Sequence, residues 1–440
     1  MEVVSSYKVQ VLSENSIFRD TVFLYRSALS FLIGVFDSEW DVLHGIKKAK
    51  ERFNAAERLV HGTKYNVAKY NFDARFHKMP SYLRRAAIQE ALGCVSSYRS
   101  NHANWEKHGK QGKEPKLQAE RFAMPTFCNK KMYCASDDPY SAYMKLYLNN
   151  DWVWVKVRLR GTDVRYLKRY WKHCKPTAPT LEKRYGKYYL RFAFTEKREL
   201  SGTKAPDQRV CAVDLGLNSD AVCSIMTSDG TVLARKFINF ASEKDHLHHV
   251  LNRIKRFQRG HGSQDIQSFW NYARRLNDEL AKKIASAIVE FATLYSVDCI
   301  VFEHLDFCGK KAKGSKKQRL HMWRKNSIQD YVGHKAHRCG IRISHICAWG
   351  TSKLAFNGSG EVKRDEHNRA LCTFTNGKQY NCDLSASYNI GARYFIRELL
   401  KPLPATVRSE LLAKVPEAQR RTSCTLSTLR AMTAAMQGVA

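Results

Sequence analysis

Four apolar residues in a row, Val210-Cys211-Ala212-Val213, stop at an acid, Asp214, which Leu215-Gly216 follow at once. A short, wholly apolar run of this kind reads as a buried strand. The next segment alternates to a Ser228-Asp229-Gly230 turn and resumes as Thr231-Val232-Leu233, the pattern of a β-hairpin. Asp214 therefore closes the first strand of a small antiparallel sheet and faces whatever lies at that edge. A carboxylate beside a buried strand is costly unless something binds it. Taken alone, it reads equally as a capped or solvated acid at a strand end.

After Pro206 the order is strand, hairpin, long helices, strand, helix, strand, loop, helix. A helix from about Gln267 to Leu294 carries Leu276, Leu280, Ile284, Ile288 and Phe291 on one stripe. It delivers the chain into "VDCIVFEHLDF", a continuously apolar strand of the kind found in the middle of a sheet. A further helix, about Ser327 to Cys339, ends at Gly340 and leads into "IRISHIC". A meander followed by alternating helices and strands predicts an α/β domain with a mixed sheet. The tail beyond Pro402 is weakly patterned and is expected to be partly flexible.

The first half reads differently. "SYKVQVL" is a strand, and from about Asn15 to Trp105 the periodicity is helical. Pro80 opens a helix with Leu83, Ala87, Leu92, Val95 and Tyr98 on one stripe. From about Ala123 to Lys197 the pattern is alternating and aromatic. In "DWVWVKVRLRG", Val153, Val155, Val157 and Leu159 face one way and Trp152, Trp154, Lys156, Arg158 and Arg160 the other. Short strands split by a helical insertion suggest a β-barrel interrupted by a helical lobe. The aromatic and basic face suits stacking bases and holding phosphates. It suits equally well the packing of both tryptophans under the insertion.

Charge narrows the function. The chain has 74 Lys+Arg against 41 Asp+Glu, a net +33 over 440 residues. An excess this large, spread over several regions, points to a polyanion, whose counterions each bound cation releases; a basic protein that merely sticks to anions is the plain alternative. The 13 cysteines include no CxxC pair, which argues for reduced thiols in the cytoplasm. No signal peptide is evident at "MEVVSSYKV". No membrane association is expected, because "TVFLYRSALSFLIGVF" is short, is broken by Arg26, and places Val22, Tyr25, Leu29, Leu32 and Phe36 at helical spacing.

Three acids stand out by position: Asp214 at the end of the first strand, Glu303 at the end of "CIVFE", and Asp383 opening the helix "DLSASYNIGARYF". Two strand ends and a helix start can converge at one sheet edge. Acids so placed suit two Mg²⁺ ions about 3.5–4 Å apart, which activate water against a phosphodiester and stabilise its leaving oxygen. Singly, Glu303 reads as an ordinary strand-end acid and Asp383 as an N-cap.

"AVDLG", "VFEHL" and "DLSASYNIGA" resemble the three acidic motifs of the RuvC-type nuclease domain, an RNase H-like fold. More narrowly, they resemble the TnpB proteins of bacterial insertion sequences and their miniature type V CRISPR relatives. The resemblance covers about Pro206 to Phe395 well and the first half, through "GKEPK" and "KYYLRFAF", more loosely. It implies an α/β nuclease domain with a mixed sheet, preceded by an oligonucleotide-binding-like (OB-like) wedge β-barrel that carries an inserted helical recognition lobe. The implied segments are 1–14 (first wedge strand), 15–122 (recognition lobe), 123–205 (wedge barrel), 206–346 (nuclease domain, first part), 347–382 (a degenerate zinc-ribbon-like insertion), 383–400 (final nuclease helix) and 401–440 (tail).

By matching position, the resemblance makes Asp214, Glu303 and Asp383 the catalytic, metal-binding acids, and Asn389-Ile390 the end of the third motif. Ser385 replaces an asparagine usual in the family. The ribbon departs further: Ala355 and Gly358 stand where the first CxxC pair belongs, and Thr373 and Asn376 where the second does. Cys347, Cys372, Cys382 and His367 remain nearby at a spacing that fits no tetrahedral ribbon, so a bound zinc is not expected. The implied partners are a guide RNA and target DNA, with base pairing supplying most of the sequence choice.

Basic clusters supply candidate nucleic-acid contacts: Lys107, Lys110, Lys113 and Lys116 in the connection after the helical region; Arg253, Lys255, Arg256 and Arg259 after the hairpin; and Lys310, Lys311, Lys313, Lys316, Lys317 and Arg319 just beyond Glu303. A basic loop beside an acidic metal site would draw a nucleic-acid strand towards the ions. The reading is an RNA-guided DNA endonuclease. Its rivals are a guide-directed DNA binder or repressor with little cleavage, and an unguided RNase H-like nuclease. Oligomeric state, guide origin and target-adjacent motif leave no mark in the sequence.

Overall fold

The computed structural model describes residues 1–117, 120–217, 219–261, 266–304, 322–368 and 370–437. The chain divides into two compact units, Val4–Glu196 and Lys197–Ala440, the latter joined by Met1–Val3.

The first unit contains strands β1 (Glu2–Gln10), β2 (Tyr133–Ala135), β3 (Ser141–Leu148), β4 (Asp151–Arg158), β5 (Thr180–Arg184) and β6 (Lys187–Lys197). They form two three-stranded sheets, ordered β1-β6-β5 and β2-β3-β4, linked by single bridges between Val11 and Leu159 and between Thr126 and Thr180. Helices α1 (Arg19–Ser38), α2 (Trp40–Gly45), α3 (Ala49–Val60), α4 (Phe72–Arg75) and α5 (Ser81–Lys107) are inserted between β1 and β2, and α6 (Gly161–Tyr170) between β4 and β5. By length and composition α1 could cross a membrane. Its Val22, Tyr25, Leu29, Leu32 and Phe36 instead join a core with Leu83, Ala87 and Val95 of α5.

The alternation expected of β4 breaks at its start. Trp152 is only 9% exposed and packs on Tyr147 with ring centroids 5.3 Å apart, while Val153 points outward. The start of α1 covers this hairpin, its Thr21 hydroxyl accepting from the Tyr147 amide at 2.8 Å. Trp152 is thus a core residue beneath the helical insertion and cannot serve as a stacking surface.

The second unit is built on a five-stranded mixed sheet of β7 (Arg209–Asp214), β8 (Ala221–Thr227), β9 (Val232–Ile238), β10 (Cys299–His304) and β11 (Arg342–Cys347), ordered β11-β10-β7-β8-β9. The β7-β8-β9 meander is antiparallel, and β10 and β11 add in parallel. The central strands β7 and β10 carry the unbroken apolar runs Val210–Val213 and Cys299–Phe302 because both faces are covered. Cys211, Val213, Ile300 and Phe302 face α8 (Gln267–Leu294) and α9 (Lys325–Arg338), which follow α7 (Ala241–His261). Val210, Ala212, Cys299 and Val301 face α10 (Cys382–Leu400) and α12 (Leu426–Gln437). Each fully buried Val, Ile or Phe among them stabilises the sheet by about 1.5–3 kcal/mol.

The tail, expected to be partly flexible, is helical over much of its described length and contributes to the core. Helices α11 (Ala405–Lys414) and α12 follow α10, and Leu411, Leu426, Leu429 and Met432 are buried in the core that α10 shares. In the segment before α10, three short strands, β12 (Lys363–Arg364), β13 (Leu371–Thr373) and β14 (Gln379–Asn381), form a small antiparallel sheet. It closes over Ala355, Cys372, Phe374 and Cys382, with Phe356, Val362 and Tyr380 packed against them. An apolar cluster thus occupies the middle of the segment, and Ala355 belongs to it.

Candidate active site

Strand register places two of the three acids side by side. Val213 of β7 pairs with Phe302 of β10 in parallel register, so Asp214 and Glu303 lie level one residue further on. Val213 and Phe302 pack towards α8, so by alternation Asp214 and Glu303 project to the opposite face, the one α10 covers. Asp383 sits in the first turn of α10. It is not the cap: Asn381 is, its side-chain oxygen accepting from the Leu384 amide at 2.9 Å. Capping therefore makes no demand on the Asp383 carboxylate. Gly216 is demanded by its own loop, since a Cβ there would lie 2.7 Å from the Ser219 carbonyl; the same position is 3.9 Å from Asp383 Oδ2, an ordinary contact that sets Asp383 beside the end of β7.

Of the three acids, Asp214 is the one on which the charges of both others bear. Burial raises the pKa of Asp214 well above the usual carboxylate value; repulsion from Glu303 and then Asp383 raises it further, and Arg364 of β12 opposes the rise. Burial likewise raises Asp383, again opposed by Arg364. Glu303 is raised by burial, against a hydrogen bond donated by the Thr351 hydroxyl and the field of Arg393. Carboxylates buried together with so little compensating charge are what a divalent cation relieves, and an all-oxygen donor set suits Mg²⁺. They are not drawn into a finished cage: among the described residues, no group of three or more His, Cys, Asp or Glu side chains is arranged to hold a metal ion.

Thr351, Arg364, Asn389 and Arg393 support this site; Asn389 stands in the third motif, and Thr351 belongs to a Thr351-Ser352-Lys353 lead-in that also matches the family by position, but neither carried a role in holding the acids. Asn389 is fully buried and donates to the carbonyls of Thr351 and Leu354 at 3.0 and 2.9 Å, while accepting from the Leu426 amide at 3.2 Å. It fixes the loop from which Thr351 reaches Glu303. Arg364 sits on a two-residue strand that no periodicity announces.

The basic candidates are distributed over both units. Lys107 ends α5, and Lys110, Lys113 and Lys116 are exposed after it. Trp154, Lys156 and Arg158 share an exposed face of β4. Arg253, Lys255, Arg256 and Arg259 are exposed on α7, with Arg253 over the Phe269 ring at 5.9 Å. A cavity of about 500 Å³ beside Gly216 and Leu217 is lined by Lys244, His248, Lys255 and Arg324 together with apolar Leu280 and Ile284. Lys310, Lys311, Lys313, Lys316, Lys317 and Arg319 lie outside the described residues.

Comparison with known proteins places the architecture. A Cas12f1 solved in complex with sgRNA and target DNA is similar over 84% of this chain and 81% of its own, at 14% identity and a TM-score of 0.51. The mini-RNA-guided endonuclease CRISPR-Cas_phi3 is similar over 89% of this chain and 92% of its own, at 9% identity and a TM-score of 0.51. The chain therefore has a mixed α/β fold of the kind seen in miniature type V CRISPR effectors. The model of the Aq_aa04 family matches residues 5–148. No curated protein matches.

Proposed function

We propose that this chain is an RNA-guided DNA endonuclease, akin to TnpB and the miniature type V effectors, whose Asp214, Glu303 and Asp383 hold two Mg²⁺ ions for phosphodiester hydrolysis. The observation that carries the reading is the convergence of these acids from β7, β10 and α10 on one sheet edge, where each is raised in pKa by burial. Bound magnesium would supply an activated water and stabilise the leaving oxygen. The chain's own part is positioning. Two adjacent parallel strands fix Asp214 and Glu303, and the Thr351 hydroxyl orients the Glu303 carboxylate.

The fold shared with two RNA-guided relatives supports guidance by RNA, in which pairing supplies sequence choice and the protein grips backbone. The net charge of +33 and the basic face of α7 supply that grip. In this reading the first unit is the wedge barrel with its recognition lobe, no zinc is held by the segment before α10, and the protein acts in the cytoplasm. The test is to purify the chain with its co-purifying RNA, sequence that RNA, and offer DNA containing the matching target with Mg²⁺. Asp214→Ala and Glu303→Ala are each expected to abolish cutting and to leave RNA-dependent DNA binding measurable. Equal cutting by wild type and both variants removes the assignment; activity that survives ribonuclease, with no discrete RNA recovered, favours an unguided nuclease.

A second reading, a guide-directed DNA binder with little cleavage, draws on one observation. Glu303 is held by Thr351, and the acids do not form a finished ligand group. Binding without cutting across a Mg²⁺ and Mn²⁺ series would select it.

A further inference from the structure

The helix α6 was not anticipated, and its surface serves nothing described so far. Of its ten residues only Val164 is buried. It is nevertheless held firmly: Asp163 accepts from the Gln10 amide at 2.9 Å, the Arg160 amide donates to the Gln10 carbonyl at 2.9 Å, and Trp171 just beyond it stacks on Phe194 at 4.7 Å. Two tyrosines of this anchored helix and one of β1 form a ladder. Tyr7 of β1 stacks on Tyr166 with centroids 4.4 Å apart and planes 12° from parallel, and Tyr166 meets Tyr170 at 4.6 Å. Tyr166 is 40% and Tyr170 53% exposed, so the ladder is open at its outer end.

The charges around it are of one sign. Residues 158–175 hold seven Lys+Arg and a single acid, Asp163, which is already committed to Gln10. Lys168 and Arg169 stand three and four residues beyond Arg165 on the exposed helix, spacings at which like charges repel unless an anion lies between them. Arg169 lies over the Tyr170 ring at 5.2 Å, extending the stack with a planar cation. Open rings with phosphate-binding charges at their flanks match the chemistry of unpaired nucleotides, whose bases stack while their backbone is neutralised.

We propose that Tyr7, Tyr166 and Tyr170, with Arg165, Lys168 and Arg169, form a stacking platform for an unpaired stretch of nucleic acid. This rests on the reading of the chain as a nucleic-acid-directed protein, and adds to it a site for single strands within the first unit. The ladder admits either sugar, so RNA and DNA strands are separate arms of the test.

The full-length protein is irradiated with 12-nucleotide oligo(rU) or oligo(dT) carrying photoreactive 5-iodouracil bases, and with a fully paired hairpin carrying the same label, and adducts are mapped by mass spectrometry. Adducts on Tyr166 or Tyr170 are expected with one or both single strands and not with the hairpin. Tyr166→Ala/Tyr170→Ala should cut the yield in residues 158–175 by about 5-fold or more, as loss of base stacking does. Tyr166→Phe/Tyr170→Phe should retain stacking and most of the single-strand affinity. Unchanged thermal unfolding of both double variants shows that the fold is intact, which the exposure of both rings predicts. Adducts confined to other regions, with guided cutting intact, overturn the platform and leave the proposed function standing. Adducts nowhere, with no guided binding or cutting, overturn both.

Discussion

The side-chain amide of Asn389 donates to the Thr351 carbonyl across 3.0 Å, and the Thr351 hydroxyl in turn donates to the Glu303 carboxylate. The third acidic motif therefore does more than carry Asp383. One turn and a half further along α10 it fixes the loop that orients the acid of a different strand. Thr351→Val keeps the shape and removes the hydrogen bond. That bond favours the ionised form of Glu303, so its loss raises the carboxyl's pKa and delays ionisation to higher pH. The rising limb of a cutting-versus-pH profile should move towards higher pH, with about tenfold less activity on its acid side, the worth of roughly 1.4 kcal/mol. A profile that keeps its midpoint while merely dropping in height would show that Thr351 has no such role.

Asp214 ties stability to metal. Its folded-state pKa lies above the unfolded value because of burial and the neighbouring acids. Such a group binds more protons in the folded state, so stability is greatest below the ordinary carboxylate range and is lost as pH rises through the raised folded value. Asp214→Asn should therefore raise the Tm of the metal-free protein at neutral pH by about 2–4 °C, the effect of about 1 kcal/mol in a domain of this size. The gain should vanish below about pH 4. Millimolar Mg²⁺ should raise the Tm of the wild type and do less for the variant. Scanning calorimetry with EDTA and with Mg²⁺, at two pH values, separates these outcomes.

The seat of α10 on the sheet is set by one missing side chain. A Cβ at Gly391 would lie 2.4 Å from the Met226 sulfur and 3.3 Å from the Ala212 Cβ. Gly391→Ala should push the helix off β7 and β8 at a cost of about 1–3 kcal/mol, the usual range for overpacking a filled core. Because the helix carries Asp383, cutting should fall as well. Met226→Ala in the same chain makes room, and should restore part of both. Urea denaturation of the two single variants and the double variant supplies the cycle.

The five-stranded sheet was legible because its strands carry their burial in sequence: Val210–Val213 and Cys299–Phe302 are apolar on both faces, and each run ends on one of the three candidate acids. Turn chemistry at Ser228-Asp229-Gly230 fixed the meander. What sequence hid were features decided by contacts between distant segments. Trp152 alternates with outward residues yet is drawn in by the start of α1. Leu426, Leu429 and Met432 look like a weak stripe until α10 covers them. Asp383 resembled an N-cap because nothing local shows that Asn381, two residues earlier, takes that part. Arg364 and Thr351 reach the acids from an insertion whose packing no residue spacing reports.

The tail makes the strongest case for a role that sequence did not signal. Arg393 on α10 is 5% exposed; its guanidinium donates to the carbonyls of Cys347 and Trp349 at 2.9 and 2.8 Å and to those of Thr422 and Cys424 at 2.7 and 3.1 Å. One planar fork thus joins the exit of β11, the approach to Thr351 and the start of α12. Arg393→Met keeps much of the side chain's length and leaves carbonyls without donors, each worth about 1–3 kcal/mol when buried. The variant should lose more than about 3 kcal/mol in urea denaturation. Arg393→Lys should recover only part of that, because an ammonium group cannot span four carbonyls in a plane. Removing residues 423–440 should be at least as damaging, exposing the apolar face of α10 that Leu426, Leu429 and Met432 cover. A truncated chain that unfolds with the wild-type midpoint would show that the tail is dispensable, and that Arg393 holds the Thr351 loop without it.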